Sequence, residues 1–210
     1  GFRVGNNVSV NTVDESYVAY CWRAGGQPTV DNDNTSGAMD DGSVFKGGTV
    51  QTSYTPAGSP DIYPRKMSIA EHGGFSIVEY VGNGTDDQDI SHGLDTTLPD
   101  GGKPGFILVK RTDSSANWVV GHDGLDVNSD GAPWTDFMNM DANDVAYDGD
   151  TIWSDEPPSA TVFTVGSGGG VNASGGVYIA YLFQRVPGLI GIGSYTGNNS
   201  TDGAYVVVDD

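Results

Sequence analysis

Glycine and proline interrupt this chain too often for long helices. Its 210 residues include 32 Gly and 10 Pro, and no stretch of helical length keeps a 3.6-residue apolar period free of both. What lies between the interruptions is short and β-like. Runs rich in Val, Ile, Tyr, Phe and Thr occupy 16–22, 75–81, 106–111, 118–120, 162–165, 177–183, 189–195 and 205–208. Clusters such as Gly82-Asn83-Gly84, Asp100-Gly101-Gly102, 167–170 and Gly197-Asn198-Asn199 separate them and supply the positive φ that tight turns require. The pattern predicts an all-β fold, an antiparallel β-sandwich or jelly-roll-like module. In Tyr17-Val18-Ala19-Tyr20-Cys21-Trp22 both alternating faces are apolar, so that strand is expected to be central and covered on both sides, with Cys21 a buried apolar group.

Self-similarity adds a second constraint. Phe2-Arg3-Val4-Gly5, Asn11 and Tyr17–Trp22 echo Phe163-Thr164-Val165-Gly166, Asn172 and Tyr178–Phe183, each displaced by 161 positions. Gly74-Phe75, Tyr80-Val81-Gly82-Asn83-Gly84 and Asp87 echo segments of 188–202, with Tyr80 and Tyr195 displaced by 115. The displacements differ by 46, the length of 27–72. This arithmetic predicts modules in tandem: 1–26 as the C-terminal part of a preceding unit, 27–72 as an insertion or linker with an edge strand at 49–54, 73–187 as a complete unit, and 188–210 as the start of the next. Gly1-Phe2-Arg3-Val4 reads as interior sequence, so the chain is expected to be an excerpt.

Charge removes several function classes. Nine Lys and Arg against 28 Asp and Glu give a formal charge of −19, which repels phosphate backbones and anionic bilayers, so neither nucleic-acid binding nor membrane insertion is expected. No apolar run approaches a membrane span, and the single cysteine makes no internal disulfide. Catalysis is not expected either. No Gly-x-Ser-x-Gly elbow occurs, and His72, His92 and His122 stand singly in turn-like contexts without metal-ligand spacing. Glu71 and Glu79 alone among the acids touch strand pattern, and Glu79 is expected to face outward.

One motif carries a specific mechanism. Asp126-Val127-Asn128-Ser129-Asp130-Gly131 matches the opening of a calcium loop, where oxygen ligands alternate and the Gly permits a sharp turn. The twelfth position is Phe137, not Glu, with Asp136 one place early. Asp126, Asn128, Asp130 and Asp136 are therefore the candidate Ca²⁺ ligands, with Asp31, Asp33, Asp40 and Asp41 a weaker second set. Asn-x-Ser/Thr triplets begin at Asn7, Asn34, Asn83, Asn172, Asn198 and Asn199 and matter only in a glycosylating secretory pathway.

The ordered series Gly74-Phe75-Ser76-Ile77-Val78-Glu79-Tyr80-Val81-Gly82-Asn83-Gly84, Ile90-Ser91-His92-Gly93-Leu94, Pro104-Gly105-Phe106-Ile107-Leu108-Val109-Lys110, Trp118, Trp153, Pro157-Pro158-Ser159, Val162-Phe163-Thr164-Val165-Gly166, Tyr178-Ile179-Ala180-Tyr181 and Gly193-Ser194-Tyr195-Thr196-Gly197-Asn198 resembles a repeated β-rich domain of unknown function. That domain is common in virion-associated and tail-fibre-like proteins of marine bacteriophages. The likeness covers nearly all of 1–26 and 74–202. It implies a β-sandwich building block of a long virion protein and brings no catalytic residues with it. Two departures stand out: the segment after Asn198 lacks the usual aromatic-Gly-Phe ending, and Gly121-His122-Asp123 lacks an aromatic partner for its His.

The expected function is a structural module of an extracellular virion fibre, a phage tail fibre or similar appendage, giving spacing and host-surface attachment through loops such as 27–43 and 121–131. Its partners would be further copies along the fibre, in a homotrimeric cross-section, and a host-surface glycan. The rivals are a calcium-dependent glycan-binding sandwich, which would expose Trp118, Trp134 and Trp153 on a concave face, and a capsid-decorating or surface-layer protein.

Overall fold

The computed structural model describes residues 2–206 and is mostly β-sheet. Its strands are β1 (Val44–Lys46), β2 (Thr49–Val50), β3 (Lys66–Ile69), β4 (Phe75–Val81), β5 (Gln88–Ser91), β6 (Phe106–Arg111), β7 (Trp118–His122), β8 (Asp136–Asn139), β9 (Tyr147–Asp148), β10 (Val162–Val165) and β11 (Val177–Phe183). Two single-turn helices, α1 (Val8–Asn11) and α2 (Asp150–Trp153), complete it. Nine strands form one sheet in the order β2-β1-β3-β4-β11-β6-β7-β8-β9, and β10 pairs with β5 separately. Only β1 and β3 run parallel among these ladders, so the large sheet is mixed rather than purely antiparallel.

Register decides what the large sheet buries, because alternate residues point to opposite faces. Two rows cross its inner face, Met67-Val78-Ala180-Val109-Val119 and Ile69-Ser76-Leu182-Ile107-Gly121. Val78, Ala180, Val109, Leu182 and Ile107 are wholly buried there. Ile90 of β5 and Phe163 and Val165 of β10 belong to the same core, and the Phe163 ring meets Tyr80 edge-on at 6.2 Å. The outer face carries Phe75-Phe183-Phe106-His122, Ser68-Ile77-Tyr181-Leu108-Val120 and Lys66-Glu79-Ile179-Lys110-Trp118. Most of these side chains stay half-exposed.

The strands expected at 75–81, 106–111, 162–165 and 177–183 form with those bounds, and the one at 118–120 continues to His122. At 49–54 only Thr49–Val50 is strand. Three expectations differ. Residues 16–22 and 189–195 are extended or irregular chain outside any ladder, and Tyr20 is 78 % exposed. The reason is competition: β4, the partner that the matching β11 uses, is already flanked by β3 and β11, leaving 16–22 no free edge there. Cys21 is accordingly exposed rather than buried. Of the strand expected at 205–208, Tyr205 and Val206 are irregular, and 207–208 lie outside the described residues.

The chain joins the sheet at Gly25 and Gly26. Gly25 lies so close to β1 and β3 that a Cβ there would sit 2.3 Å from the Phe45 carbonyl oxygen and 2.4 Å from that of Ile69. The amide of Gly48 donates to Gly25 O at 2.6 Å, and that of Gly26 to Ser68 Oγ at 3.0 Å. This seam is where an exposed N-terminal arm becomes a packed body.

Candidate functional site

The loop from β7 to β8 gathers all four residues expected to hold calcium. Asp126 Oδ1 accepts from the Asp130 amide at 3.0 Å and its Oδ2 from Gly131 at 3.2 Å. Asn128 Oδ1 accepts from Asp130 N at 3.3 Å, and Asp130 Oδ1 from Ala132 N at 2.8 Å. Ser129 (φ 61°) and Gly131 (φ 81°) make the left-handed turns that fold the oxygens inward. Asp136 closes the loop from strand β8, its Oδ2 accepting from the Val127 amide at 2.6 Å.

Asp136 is fully buried, and its Oδ1 has no hydrogen-bond partner. Burial pushes its carboxyl above the usual range, and the neighbouring charges of Asp148, Asp130 and Asp126 add to that. Asp148 is the residue sequence reasoning missed. The β8–β9 ladder sets it opposite Asp136, and Asn128 Nδ2 donates to its Oδ2 at 3.2 Å. Among the described residues, no three acidic, His or Cys side chains converge into a metal-holding group. The loop's oxygens are mostly engaged with its own amides.

The second acidic set does not assemble. Asp31 turns to Arg65 and to Lys66 Nζ (2.6 Å), and those cations lower its carboxyl, Lys66 most. Asp40 ties the 33–40 turn through the amide of Asp33 (2.9 Å) and Asn34 Nδ2 (3.1 Å), and Asp41 accepts from Ser53 N at 3.1 Å. Glu79 is half-buried beside Arg65 and Lys66 on the outer face.

The three tryptophans separate onto two sides of the sheet. Trp134 and Trp153 are buried, edge to face with ring centres 5.9 Å apart. They wedge against Gly121, where a Cβ would stand 2.6 Å from Trp134 and 2.8 Å from Trp153. Both are core rings in this fold, not the exposed stacking surface expected of a glycan site. Trp118 lies on the outer face, stacked on Tyr181 at 6.3 Å with Lys110 Nζ 5.4 Å from its ring centre.

The histidines are equally scattered. His72 is exposed and pairs with Asp95 Oδ2 at 2.5 Å. His122 Nδ1 accepts from Gly124 N at 2.8 Å. His92 is fully buried; its Nδ1 accepts from Leu94 N at 3.1 Å, leaving Nε2–H to face Ser159 O at 3.3 Å. Burial brings its imidazole down to about 4.

Two cavities border the ends of the sheet. One, of about 220 Å³, is lined by Arg185, Asp123, Asp100, Trp134, Pro157 and Pro158. There Arg185 Nη1 lies 2.6 Å from Asp123 and 3.6 Å from Asp100, so its charge is answered inside the protein. The other, of about 640 Å³, is walled by Cys21, Trp22, Phe75, His72, Leu189 and Ile190, between the two terminal segments.

No curated protein and no solved structure matches this chain. A family model described as a domain of unknown function, DUF7483, matches residues 55–208, well over half of the sequence, and the chain belongs to that family.

Proposed function

We propose that the chain is a non-catalytic sandwich-type module, one of a tandem series, in an extracellular virion fibre such as a phage tail fibre. Its role is spacing along the fibre and attachment to a host surface through exposed loops. The observation that carries this reading is the pair of strand-patterned segments, 17–22 and 189–195, that echo β11 and β4 yet belong to no ladder of the described residues. Modules that stack along one axis contact mainly their neighbours, and a non-closing contact produces a filament. Electron microscopy of the native assembly tests it: regularly spaced beads on a thin filament are expected, and isolated monomers with hydrolytic activity would overturn it.

Calcium at the 126–136 loop belongs to the same proposal, as a stabiliser of an extracellular surface loop. Its support is the buried Asp136 Oδ1, which no protein group answers, together with the charges of Asp148, Asp130 and Asp126 near enough to raise the Asp136 carboxyl. A glycan-binding role keeps one supporting feature, the outward Trp118–Tyr181 stack. A glycan array comparing the native chain with Trp118→Ala tests it, and identical patterns would remove it. Replacing Trp134 or Trp153 would be uninformative, since both rings pack the core.

A further inference from the structure

The N-terminal arm is chemically a strand that lacks a mate. Tyr17, Val18, Tyr20 and Trp22 are all exposed, whereas their counterparts in β11 include the wholly buried Tyr178. The segment 189–195 echoes β4 in the same way, and its Tyr195 is 72 % exposed where the matching Tyr80 is buried. Within the body, β4 and β11 form the longest ladder, Val81 opposite Val177 through Phe75 opposite Phe183. Next to one end of it is the Tyr80–Tyr178 pair, stacked at 5.2 Å.

Resting on the tandem-module reading, we infer that 17–22 of one copy pairs antiparallel with 190–195 of a second copy, in the register that β11 and β4 use. That register sets Tyr17 opposite Tyr195, Val18 opposite Ser194, Tyr20 opposite Ile192 and Trp22 opposite Ile190. It rebuilds between copies the stacked tyrosine pair of the β4–β11 ladder.

Charge directs the contact to these segments. Neither 16–22 nor 187–201 contains an Asp, Glu, Lys or Arg, in a chain whose formal charge is −19. Two such acidic bodies repel, so uncharged segments such as these arms are where copies can meet at low electrostatic cost. The occupant is a second copy rather than the same chain's other arm. In one chain the arms border the 640 Å³ cavity through Cys21, Trp22, Leu189 and Ile190 but form no ladder with each other. There Ile190 is bridged to Val186, and Arg185 Nε holds the Ile192 carbonyl at 3.1 Å. Each copy offers one arm of each kind, so the contact is head-to-tail, and where its rotation does not close a ring it propagates as a filament.

The test uses the whole chain with Cys21→Ser, carrying Val18→Cys and Ser194→Cys, oxidised at high protein concentration. A ladder of cross-linked dimers, trimers and longer species is expected, and the off-register pair Val18→Cys with Ile192→Cys should give far less. Without cysteines, Ala19→Pro should weaken association measured by sedimentation about tenfold or more, since Ala19 matches Ala180, at a hydrogen-bonded position of the β4–β11 ladder, and proline removes that bond. Far-ultraviolet circular dichroism should stay unchanged, because the arm lies outside the core. Added salt should strengthen association by screening the acidic bodies. A cross-link confined to one chain, equal yields from both cysteine pairs, or no association at all would overturn the pairing. Association that survives Ala19→Pro would overturn it too, while leaving the fibre reading to stand or fall on microscopy of the native assembly.

Discussion

The His92 imidazole fills a buried place beside β5, with both ring nitrogens committed to backbone groups. Its folded value of about 4 lies below the ordinary 6.5, so the unfolded chain takes up the proton first. Stability is therefore whole above pH 6.5 and falls as the pH drops toward 4, by ~3 kcal/mol at 1.36 kcal/mol per pH unit. Urea midpoints at pH 7.5 and 4.5 should show that loss, and His92→Gln should flatten it while costing about 1–2 kcal/mol at pH 7.5 through poorer hydrogen bonding. An acid dependence unchanged in His92→Gln would assign it to other groups. Asp136 gives a second residue-scale expectation. Calcium should raise the melting temperature above that in chelator, by about 2–4 °C for each kcal/mol gained, and Asp136→Asn should erase the difference. Equal melting temperatures in calcium and chelator would remove the calcium proposal. The sequence placed Asp126, Asn128, Asp130 and Asp136 together because their spacing is local. It could not place Asp148, which reaches the loop only through the β8–β9 register, nor could it say which face of the sheet each Trp would take.

At the scale of elements, Gly121 shows how β7 and the two indoles depend on one another. Gly121→Ala would push a methyl group into Trp134 and Trp153, two buried rings already set edge to face. The expected cost is about 1–3 kcal/mol, read as a lower urea midpoint and altered tryptophan fluorescence; an unchanged midpoint would mean the rings can retreat. The long strands were legible because β4, β6, β10 and β11 are runs rich in Val, Ile, Phe and Tyr between turn clusters. Those that escaped are short and chemically mixed: Lys66–Ile69 has two apolar residues, and Gln88–Ser91 has one. They become strands because ladders with β4 and β10 recruit them. The opposite error arose at 16–22 and 189–195. Composition there suffices for a strand, but a strand needs an open edge beside it, and local sequence does not report one. The parallel β1–β3 pair, which makes the sheet mixed, rests on contacts equally invisible to local pattern.

The whole molecule combines an acidic surface with a large sheet whose outer face is only half covered, and its two arms depart from neighbouring points. Trp22 lies edge-on to Phe183 with ring centres 5.4 Å apart, just before Gly25 joins the sheet and just before β11 ends. That adjacency has a mechanical consequence. A tether pulled at both arms would not stretch the folded body, which would hang beside the line of tension like a bead on a loop of thread. If the body opened, the roughly 165 residues between the attachment points would pay out ~550 Å of slack, at about 3.3–3.6 Å per extended residue. An optical trap holding the chain by residues 22 and 187 should record a single lengthening of that size, and a much smaller step would mean that the attachment points stand far apart before the pull begins.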